Sequence, residues 1–216
     1  MPTVALSQLL DIVLPYAPAA PHPVAITQLR QSAIDLCKRT KIWRHIFDPI
    51  TITGNNFAPS APAYATIYRV ESARFNDTTL YPVALADVDA LDLDDSQDRG
   101  VPMYITQVEP NRFSIAPYAA GTLHLTAILR PVDSFDPQSD APNTMNVIPD
   151  WMATNYGQTI CHGALAQILK MPNQPYTDPG LARDFEQRFE RAVSCMSSDG
   201  VQGQQRAPLR SVPHSF

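Results

Sequence analysis

Thr122-Leu-His-Leu-Thr-Ala-Ile-Leu129 sets Leu123, Leu125, Ala127 and Leu129 against Thr122, His124, Thr126 and Ile128. Successive side chains of a strand point to opposite faces, so this two-residue period predicts a β-strand with one apolar face. Upstream, Tyr64, Thr66, Tyr68 and Val70 alternate in the same way with Ala65, Ile67 and Arg69. Shorter runs at 50–53, 103–108 and 112–116 share the pattern, with turn signals at Gly54-Asn55, Asn76-Asp77 and Pro110-Asn111. Together they predict an antiparallel β-domain of about five to seven strands, with a short helix over Leu85–Leu93.

On either side the period changes. Leu6, Leu9, Leu10 and Val13 fall at helical spacing and end at Pro15. A longer helix is expected over residues 24–46, with Ile26, Leu29, Ala33, Leu36, Thr40, Trp43 and Phe47 on one stripe. After a Pro-rich loop at 131–149, Pro149 suits the first turn of a helix running to Lys170. Its stripe of Ala153, Gly157, Cys161 and Ala164 would let a neighbouring helix approach closely. Asp178 caps a last helix, with Leu181, Phe185, Phe189, Ala192 and Met196 on its buried face and Asp184 one turn from Arg188. The fold class expected is therefore α+β: a four-helix bundle, two helices from each end of the chain, with an inserted antiparallel β-domain and an extended C-terminal arm. The bounds are 1–47 and 149–196 for the bundle, 48–148 for the insert and 197–216 for the arm.

Composition narrows the function. Only 17% of the 216 residues are charged, which suits a protein that buries much of its outside against neighbours. The 21 prolines cluster at the joints between elements. Residues 48–148 carry a net charge of −8 and the two ends together +3, which makes up the −5 of the whole chain. Such opposite fields would orient a subunit between partners of different charge, although acids in loops also simply keep them soluble. Cys37, Cys161 and Cys195 lack CxxC spacing and sit in apolar helical segments, which predicts buried, reduced thiols and a reducing compartment. No secretory signal and no run of membrane-spanning length is present, so the chain reads as soluble and made in a cytoplasm.

No motif calls for catalysis, a metal or a cofactor. The aspartates Asp87, Asp89, Asp92, Asp94, Asp95 and Asp98 depart from a calcium loop, because Leu91 and Asp92 stand at the fifth and sixth positions. The five histidines form no HxxxH pair, and Cys161 and His162 point about 100° apart on a helix. Nucleophile elbows and glycine-rich phosphate loops are absent. Two surfaces remain. Arg30, Lys38, Lys41, Arg44 and His45, with Ile34 among them, form a basic face of the second helix. That face would track phosphates, meet an acidic protein or stay in solvent. The C-terminal segment carries Leu209, Val212 and Phe216 among prolines and two arginines, the composition of a docking arm.

Several segments resemble one family. They are Leu6-Ser-Gln-Leu-Leu-Asp-Ile-Val-Leu-Pro-Tyr16, Leu29-Arg-Gln-Ser-Ala-Ile-Asp-Leu-Cys-Lys-Arg-Thr-Lys-Ile-Trp43, Gly100-Val-Pro-Met-Tyr104 and Pro149-Asp-Trp-Met152. His162-Gly-Ala-Leu-Ala166, Pro172, Pro175-Tyr-Thr-Asp-Pro179 and Arg206-Ala-Pro-Leu-Arg210 complete the set. In this order, over nearly the whole chain, they resemble the head-to-tail adaptors of short-tailed phages, the tail tubular protein A relatives. The resemblance implies a non-enzymatic virion protein forming a homo-oligomeric, dodecameric ring at the capsid–tail junction, assembled in the host cytoplasm. The implied partners are a portal protein and a tail nozzle or tube, with genomic DNA passing through the channel without specific binding. It also assigns Pro208, Leu209, Arg210, Val212 and Phe216 to portal or neighbour docking. A DNA-binding module using the basic stripe is the alternative. The acidic 87–98 stretch departs from the family pattern.

Overall fold

A computed structural model describes residues 2–54, 56–84, 100–109, 111–117, 119–133 and 145–202, with 198–202 described by their backbone. The acidic stretch 87–98, the helix expected over Leu85–Leu93 and residues 203–216 of the arm lie outside the described residues.

The expected four-helix bundle with an inserted antiparallel domain is not the architecture. The protein is a sheet-dominated α+β fold, with four helices and a mixed eight-stranded sheet curled into a half-barrel. Three local differences account for the correction. Strand β1 (Thr3–Ala5) opens the chain, and the segment after it is a 3-10 turn, Leu6–Leu9, followed by one α-helical turn, α1 (Leu10–Val13). Proline at 15 stops α1 before it reaches bundle length. The second helix, α2, covers His22–Thr40 and ends where Lys41 takes a left-handed conformation (φ 54°), its N–H bonding the Cys37 carbonyl. Residues 44–46 are a strand, not the end of that helix. Finally, the sheet is not purely antiparallel, because one of its strand pairs runs parallel.

By their contacts, residues Met1–Ile42 and Asn146–Phe216 form one unit and Trp43–Met145 the other. In the second unit the strands are β2 (Arg44–Ile46), β3 (Ile50–Ile52), β4 (Asn56–Phe57), β5 (Ala65–Phe75), β6 (Thr78–Pro82), β7 (Tyr104–Glu109), β8 (Arg112–Ala116) and β9 (Gly121–Pro131). Their order is β2-β9-β5-β6-β7-β8-β4, with β3 also pairing β9. The long β5–β9 ladder runs from Ala65↔Pro131 to Phe75↔Leu123, and its register shifts between Ile67 and Arg69 and again between Val70 and Ser72. Each shift inserts one residue with no counterpart in the β9 register, bends the strand and changes which parity faces inward. The buried apolar side chains of β5 are accordingly Ala65 and Ile67, then Val70, then Ala73 and Phe75, with Thr66 buried as well. Opposite them, Leu123, Leu125, Ala127 and Leu129 of β9 are fully buried. Asn111 Oδ1 accepts the Ile67 N–H at 2.7 Å, supplying a partner where the first bulge breaks the ladder. Strand β6 meets β7 in parallel, at Tyr81↔Tyr104 and Pro82↔Ile105. Parallel neighbours need a long connection, and here the chain between them spans 83–103.

The other unit joins the two ends of the chain. Strand β10 (Val147–Pro149) pairs antiparallel with β1, from Thr3↔Pro149 to Ala5↔Val147. It leads into α3 (Asp150–Ile168), and α4 (Pro179–Gln202) follows. Residues 197–202, expected to begin the extended arm, are therefore helical. Helices α2, α3 and α4 pack on one another. Leu29, Ala33, Leu36, Met152, Ile160, Leu165, Ala182, Phe185 and Phe189 fill the centre. A Leu or Ile so buried contributes about 1.5–3 kcal/mol. Ser32 Oγ donates to the Ile160 carbonyl at 2.8 Å, which draws α2 against α3. Gly163 lies beside that bond, where a β-carbon would run into Ser32 Oγ and come within 2.9 Å of the Phe189 ring.

Gly163→Ala tests how far the unit depends on this approach. Alanine gains about 1 kcal/mol of helix propensity. Overpacking costs about 1–3 kcal/mol, and displacing the Ser32 hydroxyl loses about 1 kcal/mol more. The variant is expected to be about 1–3 kcal/mol less stable than wild type by urea titration. An unchanged midpoint would show that the crossing yields easily.

Candidate functional site

Of the surfaces singled out in the sequence, the docking residues Pro208, Leu209, Arg210, Val212 and Phe216 lie outside the described residues. The five groups of the basic helix face do not form one stripe. Arg30 is buried, 5% exposed, and its guanidinium donates to Asn146 Oδ1 at 3.1 Å, tying α2 to the residue just ahead of β10. Lys38 lies in the last turn of α2 and Lys41 at its C-cap, where positive charge complements the helix dipole. Arg44 and His45 belong to β2 in the other unit; Arg44 Nε pairs with Glu71 Oε1 at 2.8 Å, and His45 packs edge-on against Phe47 at 4.7 Å.

Sequence reading missed two grooves of the helical unit. The first opens at the junction of α2, α3 and α4, with a volume of about 340 Å³. Ser32, Gly163, Ala166 and Phe189 line it along with Gln28, Gln31, Gln167, Asp35, Glu186 and Glu190. Its carboxylates are already engaged. Arg39 meets Glu190 with two hydrogen bonds, at 2.7 and 2.5 Å, and reaches Asp35 at 3.4 Å. This bonding to Arg39 holds the Glu190 carboxyl below its ordinary pKa. Lys170 Nζ contacts Glu186 at 2.6 Å. These pairs are half-exposed and add little stability, but they clamp α4 to both neighbouring helices.

The second groove lies between α3 and α4 and measures about 360 Å³. Gln158, Thr159 and His162 face Arg188, Arg191, Ala192 and Cys195 across it. Among the described residues no carboxylate lines it. Phe185 supports one side: His162 lies 5.5 Å from its ring, the Arg188 guanidinium 5.5 Å above it, and Tyr16 packs edge-on at 5.1 Å. Arg188 also bonds Asp184 one turn back, at 2.8 Å. Arg191 makes no ion pair among the described residues. The signal in the sequence was the i, i+3 spacing of Arg188 and Arg191, which places both on one side of a helix.

Chemically, this groove offers hydrogen-bond donors and positive charge. Its neighbour Cys161 is fully buried, donates to the Leu9 carbonyl at 3.8 Å, and has its thiol pushed up to about 12 by burial, the opposite of an activated nucleophile. His162 turns toward Phe185 instead of toward that thiol. Cys37 is likewise buried, whereas Cys195, expected to be buried, is exposed on α4. Among the described residues no group of His, Cys, Asp and Glu side chains could hold a metal ion, and no helix is long and apolar enough to cross a membrane. No protein-family model and no curated protein matches the chain.

Two measurements follow from these side chains. Burial, with Arg188 adding to it and Asp184 opposing, lowers the pKa of His162 from its ordinary 6.5; burial does the same to His45 against the pull of Asp48. Neutral imidazole is thus favoured by folding. Its stabilisation is complete above pH 6.5 and is lost as pH falls from there through the folded pKa. Melting temperature is expected to drop between about pH 7.5 and 5.5, and His162→Gln to reduce that drop. Secondly, a maleimide applied to the native protein should label Cys195 alone, with Cys37 and Cys161 reacting only after denaturation. Mass spectrometry of tryptic peptides reads this directly, and labelling of Cys161 in the native state would contradict its burial.

Proposed function

We propose that this chain is a non-enzymatic structural subunit, a head-to-tail adaptor that forms a ring, by expectation dodecameric, beneath the portal of a phage capsid. There it would continue the DNA channel and receive a tail nozzle or tube. The observation that carries the reading is the ordered resemblance along nearly the whole chain, from Leu6 to Arg210.

Several of the resembling segments lie at buried positions of the helical unit. Leu6, Leu9 and Leu10 are buried, and the Leu6 N–H bonds the Asn146 carbonyl at 2.8 Å. Pro149 pairs with Thr3, Met152 is fully buried, and Gly163 stands at the helix crossing. Tyr176 of the segment between α3 and α4 is also buried. Large apolar side chains left exposed add support: Ile12 and Tyr16 on the helical unit, and Ile46, Tyr81, Val101 and Met103 on the sheet unit. Ile46 is 77% and Val101 66% exposed. The DNA-binding alternative has less support, since its five basic residues are split between a buried position, a helix end and a strand.

Mixing the protein with the portal of its phage and imaging the product by electron microscopy tests the proposal. A ring on the tail side of the portal is expected, and repeated failure to associate would sink the adaptor reading. Deleting residues 203–216 should abolish that association while leaving the melting temperature unchanged, because the buried residues described in α4 all precede them. Steep, salt-dependent binding of free duplex would instead favour the DNA-binding alternative.

A further inference from the structure

The groove between α3 and α4 has the chemistry of an anion receptor. Every polar side chain lining it can donate a hydrogen bond: Gln158, Thr159, His162, Arg188 and Arg191. Arg191 makes no ion pair among the described residues, while Arg188 shares its charge with Asp184 at the margin. The groove is also not purely polar. Phe185 lies against His162, and Tyr16 continues the apolar surface on Phe185 with half of its own area exposed. An occupant should therefore combine several carboxylates with interspersed apolar side chains.

The chain itself contains such a segment. Asp87-Val-Asp-Ala-Leu-Asp-Leu-Asp-Asp-Ser-Gln-Asp98 has six aspartates, no cation, and Val88, Leu91 and Leu93 between them. We propose that the α3–α4 groove receives residues 87–98 of a second copy of this chain. The proposal rests on the ring reading above and gives it a subunit contact. The groove lies in the helical unit, whereas 87–98 belongs to the other, so the contact joins two different surfaces. A heterologous contact of this kind leaves a free groove at one end and a free acidic segment at the other, so it propagates head to tail and can close into a ring. Nucleic acid is the other polyanion this groove would attract. The net charge of −5 disfavours it, as does a lining with two guanidiniums among the described residues.

Cys195 lines the groove and serves as a native reporter. In the full-length chain carrying Asp92→Cys, a short bismaleimide should join position 92 of one copy to Cys195 of the next, producing a ladder of covalent dimers and higher species on a denaturing gel. Cys195→Ser should remove the ladder, and Thr51→Cys in place of the change at 92 should give none. Arg188→Glu with Arg191→Glu should reduce the ladder at least about tenfold. Arg191→Gln serves as a milder second variant, and the melting temperature of each confirms that it is folded. The inference is overturned by crosslinking confined within single chains, by a ladder indifferent to the arginine changes, or by no ladder in free solution or on the portal. It is equally overturned if the wild-type protein binds duplex DNA through these arginines and gives no ladder. A ring on the portal without the ladder removes this contact alone. A ladder in free solution without portal binding removes the adaptor reading and keeps the contact.

Discussion

The antiparallel pairing of Thr3–Ala5 with Val147–Pro149 ties the start of the helical unit to the segment that leads into α3. Two further bonds converge on the same point. The Leu6 N–H meets the Asn146 carbonyl, and the buried Arg30 guanidinium reaches the Asn146 side chain. The entropy of closing a loop grows only as the logarithm of its length, so a long intervening segment costs little more than a short one. What it demands is a strong, specific closure. Three ladder positions on their own would be marginal, and Arg30 is buried at the cost of desolvating a cation. The contact is held because β10 leads directly into α3, whose Met152, Ile160 and Leu165 are buried with Leu6, Leu9 and Leu10.

Once closed, the unit is organised by small side chains. Gly157 lies against Leu9, and Gly163 against Ser32 and Phe189, so α3 approaches its neighbours more closely than larger residues would permit. Both grooves open beside α3, the first of them at the Gly163 crossing itself. One is filled with carboxylates already tied to Arg39 and Lys170; the other presents donors and Arg191 to whatever meets it.

Much of the secondary structure could be read from pattern, and the exceptions have specific causes. Leu123, Leu125, Ala127 and Leu129 are buried as their alternation predicted, as are Leu29, Ala33, Leu36 and Thr40 on α2. Trp43 and Phe47 are buried too, but in extended chain. A spacing of four satisfies both a helical and a two-residue period, so these two residues extended the expected helix past Lys41. The parallel pairing of β6 with β7 left no trace in either strand, because hydropathy records which face is buried and not the direction of the neighbour. Arg30, expected on a basic surface of α2, is buried; Ile34, one turn on, is 2% exposed and marks that side of α2 as covered. The α3–α4 groove depends on the packing of helices separated by the 169–178 connection, which no local spacing encodes.

The two bulges of β5 have a consequence of a different kind. Eleven residues of this strand, Ala65 to Phe75, oppose nine of its partner, Leu123 to Pro131, and the two surplus positions are the exposed Tyr68 and Glu71. Removing either would leave every other pair in place and straighten the strand. Curvature here is written as chain length rather than as composition. Homologous sheets that curl less should therefore align with gaps at 68 or 71, and a one-residue deletion at these sites would change the shape of the sheet before it changed the identity of its core.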